Sequence, residues 1–99
     1  MKKLYLDDLR SVPQGFIGVR SYAEFVTYIE TNALPDLISF DHDLGLNESG
    51  FDCAKWLVNY CLDNNLRLPK FDVHSQNPVG KENILSLLQN FKKNIKGLQ

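Results

Sequence analysis

Three short apolar runs, Lys3 to Leu6, Leu37 to Phe40 and Lys70 to Val73, each end at acids or histidines. Leu4-Tyr5-Leu6 predicts a short buried strand ending at Asp7 or Asp8. Arg10 to Gly18 holds Pro13 and Gly15 and reads as loop, with a second short strand over Phe16 to Arg20. Ser21-x-x-Glu24 is a capping box. The helix it opens repeats Tyr22, Phe25, Val26 and Ile29 at three- and four-residue spacing and stops near Asn32, before Pro35. Leu37-Ile38-Ser39-Phe40 is apolar enough for a central strand covered on both sides. Ser49 then caps a helix from Gly50 to about Asp63, with Phe51, Ala54, Leu57, Val58, Cys61 and Leu62 as its buried stripe. Lys70 to His74 is the next strand. Asn77-Pro78 starts a last helix with apolar positions Ile84, Leu87, Leu88 and Phe91.

Strand and helix alternation over 99 residues predicts one α/β domain, residues 1–99, with a parallel sheet. Eight or nine residues separate Asp8 from Ile17. That is too few for a helical crossover, so the first helix is reduced to a loop or a single turn. If the three apolar runs are neighbouring parallel strands, their polar ends converge on the sheet edge where open α/β sheets bind ligands.

The net charge of −1 excludes a general electrostatic grip on a nucleic-acid duplex. Lys92, Lys93 and Lys96 read as a solvated helix end favoured by the helix dipole. Cys53 and Cys61 lie eight residues apart on one helix, about 12 Å along its axis, too far for a disulfide. They read as buried thiols of a reducing cytoplasm. Asp7-Asp8 cuts the N-terminal apolar stretch to three residues, short of a signal peptide or a membrane span.

Asp8, Asp41 and Asp43, if brought together, would repel, and a divalent cation resolves that repulsion. Oxygen ligands suit Mg²⁺ or Mn²⁺, with Zn²⁺ entering only if a histidine joins them. The alternative is that these acids cap turns and helices. His74-Ser75-Gln76-Asn77-Pro78-Val79-Gly80-Lys81 passes from strand end into a helix N-terminus, which favours phosphate. There Ser75 and Asn77 offer polar contacts, Gly80 a close backbone approach and Lys81 a charge, while Arg10 can add bidentate contacts. Asn77 as a plain N-cap is compatible with this. His42 and His74 are of the side-chain type that suits a general acid–base pair for opening a cyclic phosphate. Either can instead be a structural histidine bonded to an aspartate.

Leu6-Asp7-Asp8-Leu9-Arg10, Val19-Arg20-Ser21-Tyr22-Ala23-Glu24, Phe40-Asp41-His42-Asp43-Leu44-Gly45 and His74-Ser75-Gln76-Asn77-Pro78-Val79-Gly80 together resemble the cyclic-phosphate-processing receiver domains, an offshoot of the response-regulator receiver fold. The resemblance implies a short, flavodoxin-like three-layer sandwich of about four mostly parallel strands, without the fifth strand and its lysine. It aligns Asp7-Asp8 with the receiver's acidic pair, Asp41 with the phospho-accepting aspartate and Ser75 with the hydroxyl residue. His42, Asp43 and His74 have no counterpart in signalling receivers. The implied activity is a metal-dependent phosphoesterase processing cyclic phosphates on nucleotides, RNA ends or ADP-ribose derivatives, its partner a phosphorylated small molecule or an RNA end, with Asp41, His42 and His74 catalytic. In one variant Asp41 is the nucleophile. A phosphate-binding or protein-interaction module without turnover is the alternative.

Overall fold

The computed structural model describes residues 1–45 and 47–95, so Lys96 of the basic cluster lies outside the described residues. Four strands, β1 (Lys3–Leu6), β2 (Ile17–Val19), β3 (Leu37–Phe40) and β4 (Lys70–Val73), form one sheet in the order β2-β1-β3-β4. Every pairing is parallel. Helices α1 (Tyr22–Asn32), α2 (Gly50–Asn64) and α3 (Pro78–Ile95) follow β2, β3 and β4. This is the expected short receiver-like α/β fold, and no fifth strand is present among the described residues.

The helices begin where the sequence places their caps. Ser21 accepts from the Glu24 N–H, and Ser49 forms a full capping box with Asp52. Asn77 Oδ1 accepts from the Gly80 N–H at 3.0 Å to start α3. The α2 helix runs to Asn64, against an expected end at about Asp63, and Asn65 in the left-handed conformation caps it.

Both crossovers, β2–α1–β3 and β3–α2–β4, step the same way across the sheet. Their right-handedness therefore puts the helices on one face. Leu4, Leu6, Val19, Ile38, Phe40 and Val73 meet Phe25, Ile29, Leu57, Ile84 and Leu88 there in a single core. Phe25 bridges α1 to the sheet and to α2, its ring 5.8 Å from Phe40 and 6.1 Å from Trp56. Cys53 and Cys61 are buried free thiols in this core, and burial pushes them up to about 12 and about 11. Lys92 and Lys93 are exposed in the last turn of α3.

Alternation sends Tyr5, Leu37, Ser39 and Asp72 to the opposite face, where a three-layer sandwich expects helices. The link between β1 and β2 is too short to hold one, and it lies across this face as a loop. Phe16 meets Tyr5 edge-on at 5.7 Å, and Lys3 Nζ stands 4.7 Å from the Phe16 ring centre. Among the described residues, the third layer is thus a loop. No described helix is long and apolar enough to cross a membrane.

Candidate functional site

The sheet register decides which polar residues meet. Leu6, Phe40 and Val73 end their strands side by side. The Asp41 N–H reaches Leu6 O, and the His74 N–H reaches Phe40 O, both at 2.9 Å. Asp7, Asp41 and His74 are therefore the next row across the sheet, and all three share the parity of Tyr5 and Ser39. One donor atom from each lies within 4.8 Å of the others, the single such group among the described residues.

Asp7 is the anchor of this row, only 1% exposed. Its Oδ1 accepts the N–H groups of Leu9 (2.9 Å) and Arg10 (2.8 Å), and its Oδ2 takes His74 Nε2 at 3.0 Å. Burial pulls its pKa up, but the Arg10 and Leu9 N–H groups and His74 overcome this and hold the carboxyl below the usual range. Asp41 goes the other way. Burial and the neighbouring Asp7 charge raise its pKa, against the 2.9 Å bond from the His42 N–H and a bond with Ser75. One carboxylate is fixed as an anion, and the other strains against it.

His74 has both ring nitrogens engaged, Nε2 with Asp7 and Nδ1 with Ser39 Oγ at 2.7 Å. Its ring lies flat on Tyr5, centroids 4.3 Å apart and planes 5° apart. Arg10 reaches over it, donating from Nη1 to His74 O at 2.9 Å, with Nε 3.7 Å from Asp7 Oδ2.

His42 is held differently. Its Nδ1 pairs with Asp43 Oδ1 at 2.9 Å, and its Nε2 has no partner among the described residues. Since no buried side-chain nitrogen or oxygen among the described residues lacks a partner, that Nε2 reaches solvent. The hydrogen bond from His42 holds the Asp43 carboxyl below its usual range. The ring rests on the first turn of α3, where an added Cβ on Gly80 would stand 2.3–2.7 Å from three of its atoms. Gly80 is a seat for His42, and the space expected to admit a ligand is filled by the imidazole. Asn77 Nδ2 lies 3.5 Å from both Asp43 oxygens, and the Asn77 N–H donates to Ser75 Oγ at 3.1 Å. A chain of polar contacts thus joins Ser75, Asn77, Asp43 and His42 along one edge, and the His42 N–H ties it to Asp41.

Of the residues expected to share a metal, only Asp41 joins the row. Asp43 turns to His42. Asp8 is half-buried against Gly45, whose φ of +70° and missing Cβ, which would stand 2.9 Å from Asp8 Oδ2, both suit glycine. Lys81 is exposed, and its side chain makes no contact with the cluster among the described residues. Asp7, which the resemblance aligns with the acidic pair, is left out of the expected metal set in favour of Asp8, and Ser39, Tyr5 and Arg20 are given no role. Strand parity was the available signal, since positions 5 and 7, 39 and 41, and 74 fall on one face once the register is known.

Residues 2–90 match the family model of the cyclic-phosphate processing receiver domain. No curated protein and no solved structure matches the chain.

Proposed function

The chain belongs to the cyclic-phosphate processing receiver domain family, and from that premise we propose that it opens a cyclic phosphate on a nucleotide, an RNA end or an ADP-ribose derivative. The observation that carries this reading is the join between two unlike groups on one sheet edge. An Asp43–His42 dyad with its Nε2 in solvent is tied through Asn77 to Ser75, and the His42 N–H donates to Asp41 Oδ1 at 2.9 Å.

Asp43 accepts from Nδ1, so the Nε2 lone pair of His42 faces outward, as a general base requires. In the proposed reaction a water oxygen bonds to phosphorus and one ring P–O bond breaks. His42 Nε2 takes the proton from that water and returns it to the released ribose oxygen. His74, with both nitrogens occupied, is proposed as a positioning residue that keeps Asp7 ionised, which narrows the shared acid–base role. Arg10, Ser75 and the α3 N-terminus capped by Asn77 hold the phosphate, and exposed Lys81 adds long-range charge.

A divalent cation fits the acidic side of the site. Asp7 and Asp41 face each other closely enough for one to raise the pKa of the other, and such a pair suits Mg²⁺ or Mn²⁺ better than Zn²⁺. Asp41 and Asp7 are the proposed holders, with Asp43 reserved for His42 and Asp8 outside the row against Gly45. When bound, the ion would neutralise phosphate charge and polarise a phosphoryl oxygen.

The test is ³¹P NMR of 2′,3′-cyclic nucleotides and an ADP-ribose cyclic phosphate, with Mg²⁺ or Mn²⁺, in H₂¹⁸O. The expected result is a monoester carrying one solvent ¹⁸O, with turnover falling at least about tenfold on chelation. Ligand-induced shifts without product would instead establish a binding module. No product and no shifts would remove the cyclic-phosphate reading for these substrates.

A further inference from the structure

Arg20, at the exit of β2, spends its side chain on the turn that carries Arg10. Its Nη1 donates to two carbonyls of that turn, Asp7 O at 3.0 Å and Arg10 O at 2.6 Å. Its own backbone N–H is fixed by Glu24 Oε1 at 2.8 Å, and Asp7 N donates to Val19 O at 3.1 Å. The base of the guanidinium is therefore tied to β2 and α1, and its head to the loop after β1.

The turn from Asp7 to Arg10 is gripped from two sides. Inside, the Asp7 carboxylate accepts the N–H groups of Leu9 and Arg10. Outside, Arg20 satisfies two of the carbonyls. What this grip aims is the Arg10 side chain, 40% exposed, with a single close donor contact to His74 O. A guanidinium has five N–H donors. Nη1 is spent on His74 O and Nε stands 3.7 Å from Asp7 Oδ2, while Nη2 has no hydrogen bond among the described residues and is left for phosphate.

We infer that Arg20 is a positioning residue, holding Arg10 in the orientation in which it receives the phosphate. The inference rests on the phosphate reading above and adds a residue that touches neither phosphate nor metal. Its physical basis is preorganisation: a side chain ordered before binding loses less freedom when the ligand arrives. Lysine at position 20 has donors for two carbonyls but lacks the planar fork, so it restores part of the effect.

The experiment is a ³¹P and ¹H–¹⁵N NMR titration with inorganic phosphate and Mg²⁺. It compares the wild-type chain with R10Q, R20Q, R20K and R10Q/R20Q, each first checked for an unchanged amide spectrum away from residues 7–24. R20Q is expected to bind phosphate roughly 3- to 10-fold more weakly than wild type. R20K should fall between them, and R10Q/R20Q should be no weaker than R10Q alone. A readout independent of phosphate is the Arg10 Nε–Hε signal, expected to be sharp and slow to exchange in wild type and broadened in R20Q. Unchanged affinity in R20Q, or strictly additive losses in the double variant, would overturn the inference while leaving the site reading intact. If wild type binds no phosphate, the site reading fails first. The Arg10 Nε–Hε signal then decides the inference: broadening in R20Q supports the positioning contact, and an unchanged signal removes it.

Discussion

His42→Ala is expected to lower cyclic-phosphate turnover by about 10²–10⁴-fold, the range for losing a general acid–base group. Substrate affinity should change much less, because the phosphate contacts belong to other residues. The more discriminating variant is Gly80→Ala. In an exposed helix, glycine to alanine stabilises by about 1 kcal/mol. Here the new methyl would sit 2.3–2.7 Å from Cγ, Cδ2 and Nδ1 of His42, so the ring must leave its seat. Turning the ring breaks the 2.9 Å bond to Asp43 and moves Nε2 by an ångström or more, a displacement worth about 10²-fold in rate. Steady-state kinetics on both variants checks this. A Gly80→Ala protein with wild-type turnover would exclude His42 as the proton-transfer group, whatever its fold stability.

Asp41→Asn is expected to make the protein more stable and nearly inactive. Asp41 sits beside Asp7, and burial together with that negative neighbour raises its folded-state pKa above the value of about 3.9 for an unfolded chain. A raised carboxyl binds more protons folded than unfolded, so its contribution to stability is lost as pH climbs from the unfolded value through the folded one. At pH 7, without divalent cation, the full penalty is present. Asparagine cannot ionise, and its removal should add about 1 kcal/mol, or roughly 4–8 °C in Tm for a domain of this size. As pH falls through that window the advantage should shrink, and it should vanish below about pH 3.9, where Asp41 is neutral in both states. Asp7 behaves oppositely. Its depressed folded pKa gives stability that is lost as pH falls below its unfolded value, and removing the Asp41 charge frees Asp7 of the same repulsion, so in Asp41→Asn that acid-side loss steepens. Turnover should drop about 10²–10³-fold, as when one preorganised electrostatic partner is lost. Thermal melts across pH, paired with ³¹P assays, test both halves. A destabilised Asp41→Asn protein at pH 7 would show that Asp41 is not under repulsion from Asp7.

These two variants also mark where the sequence is legible. Periodicity and capping residues located every strand and helix within a residue or two, because Ser21, Ser49 and Asn77 each act through a bond three positions away. The convergence of Asp41 and His74 followed from the parallel topology alone. The choice of Asp8 over Asp7 did not, because proximity to a strand end does not say which way a side chain points. Only the Leu6–Phe40–Val73 register, a long-range fact, puts Asp7 in the row and Asp8 out of it. Gly80 is a sharper case. A glycine at a helix start suggests an incoming ligand, and nothing nearby in sequence reveals that an imidazole from the β3 edge already occupies the space. The third layer was legible in part. A short β1–β2 link excludes a helix, but that the loop lies down over Tyr5 depends on the Phe16 contact.

The flat stacking of Tyr5 on His74 has a magnetic consequence. At 4.3 Å and 5° between planes, the carbon-bound ring protons of His74 lie in the shielding cone of the phenol and should resonate well upfield of those of His42. The two histidines of this chain thus label themselves in a one-dimensional proton spectrum. A ligand that draws Asp7 away from His74 would slide the imidazole off the phenol and move its signals downfield. A ligand that engages only the outer dyad would move the His42 signals and leave those of His74 where they are.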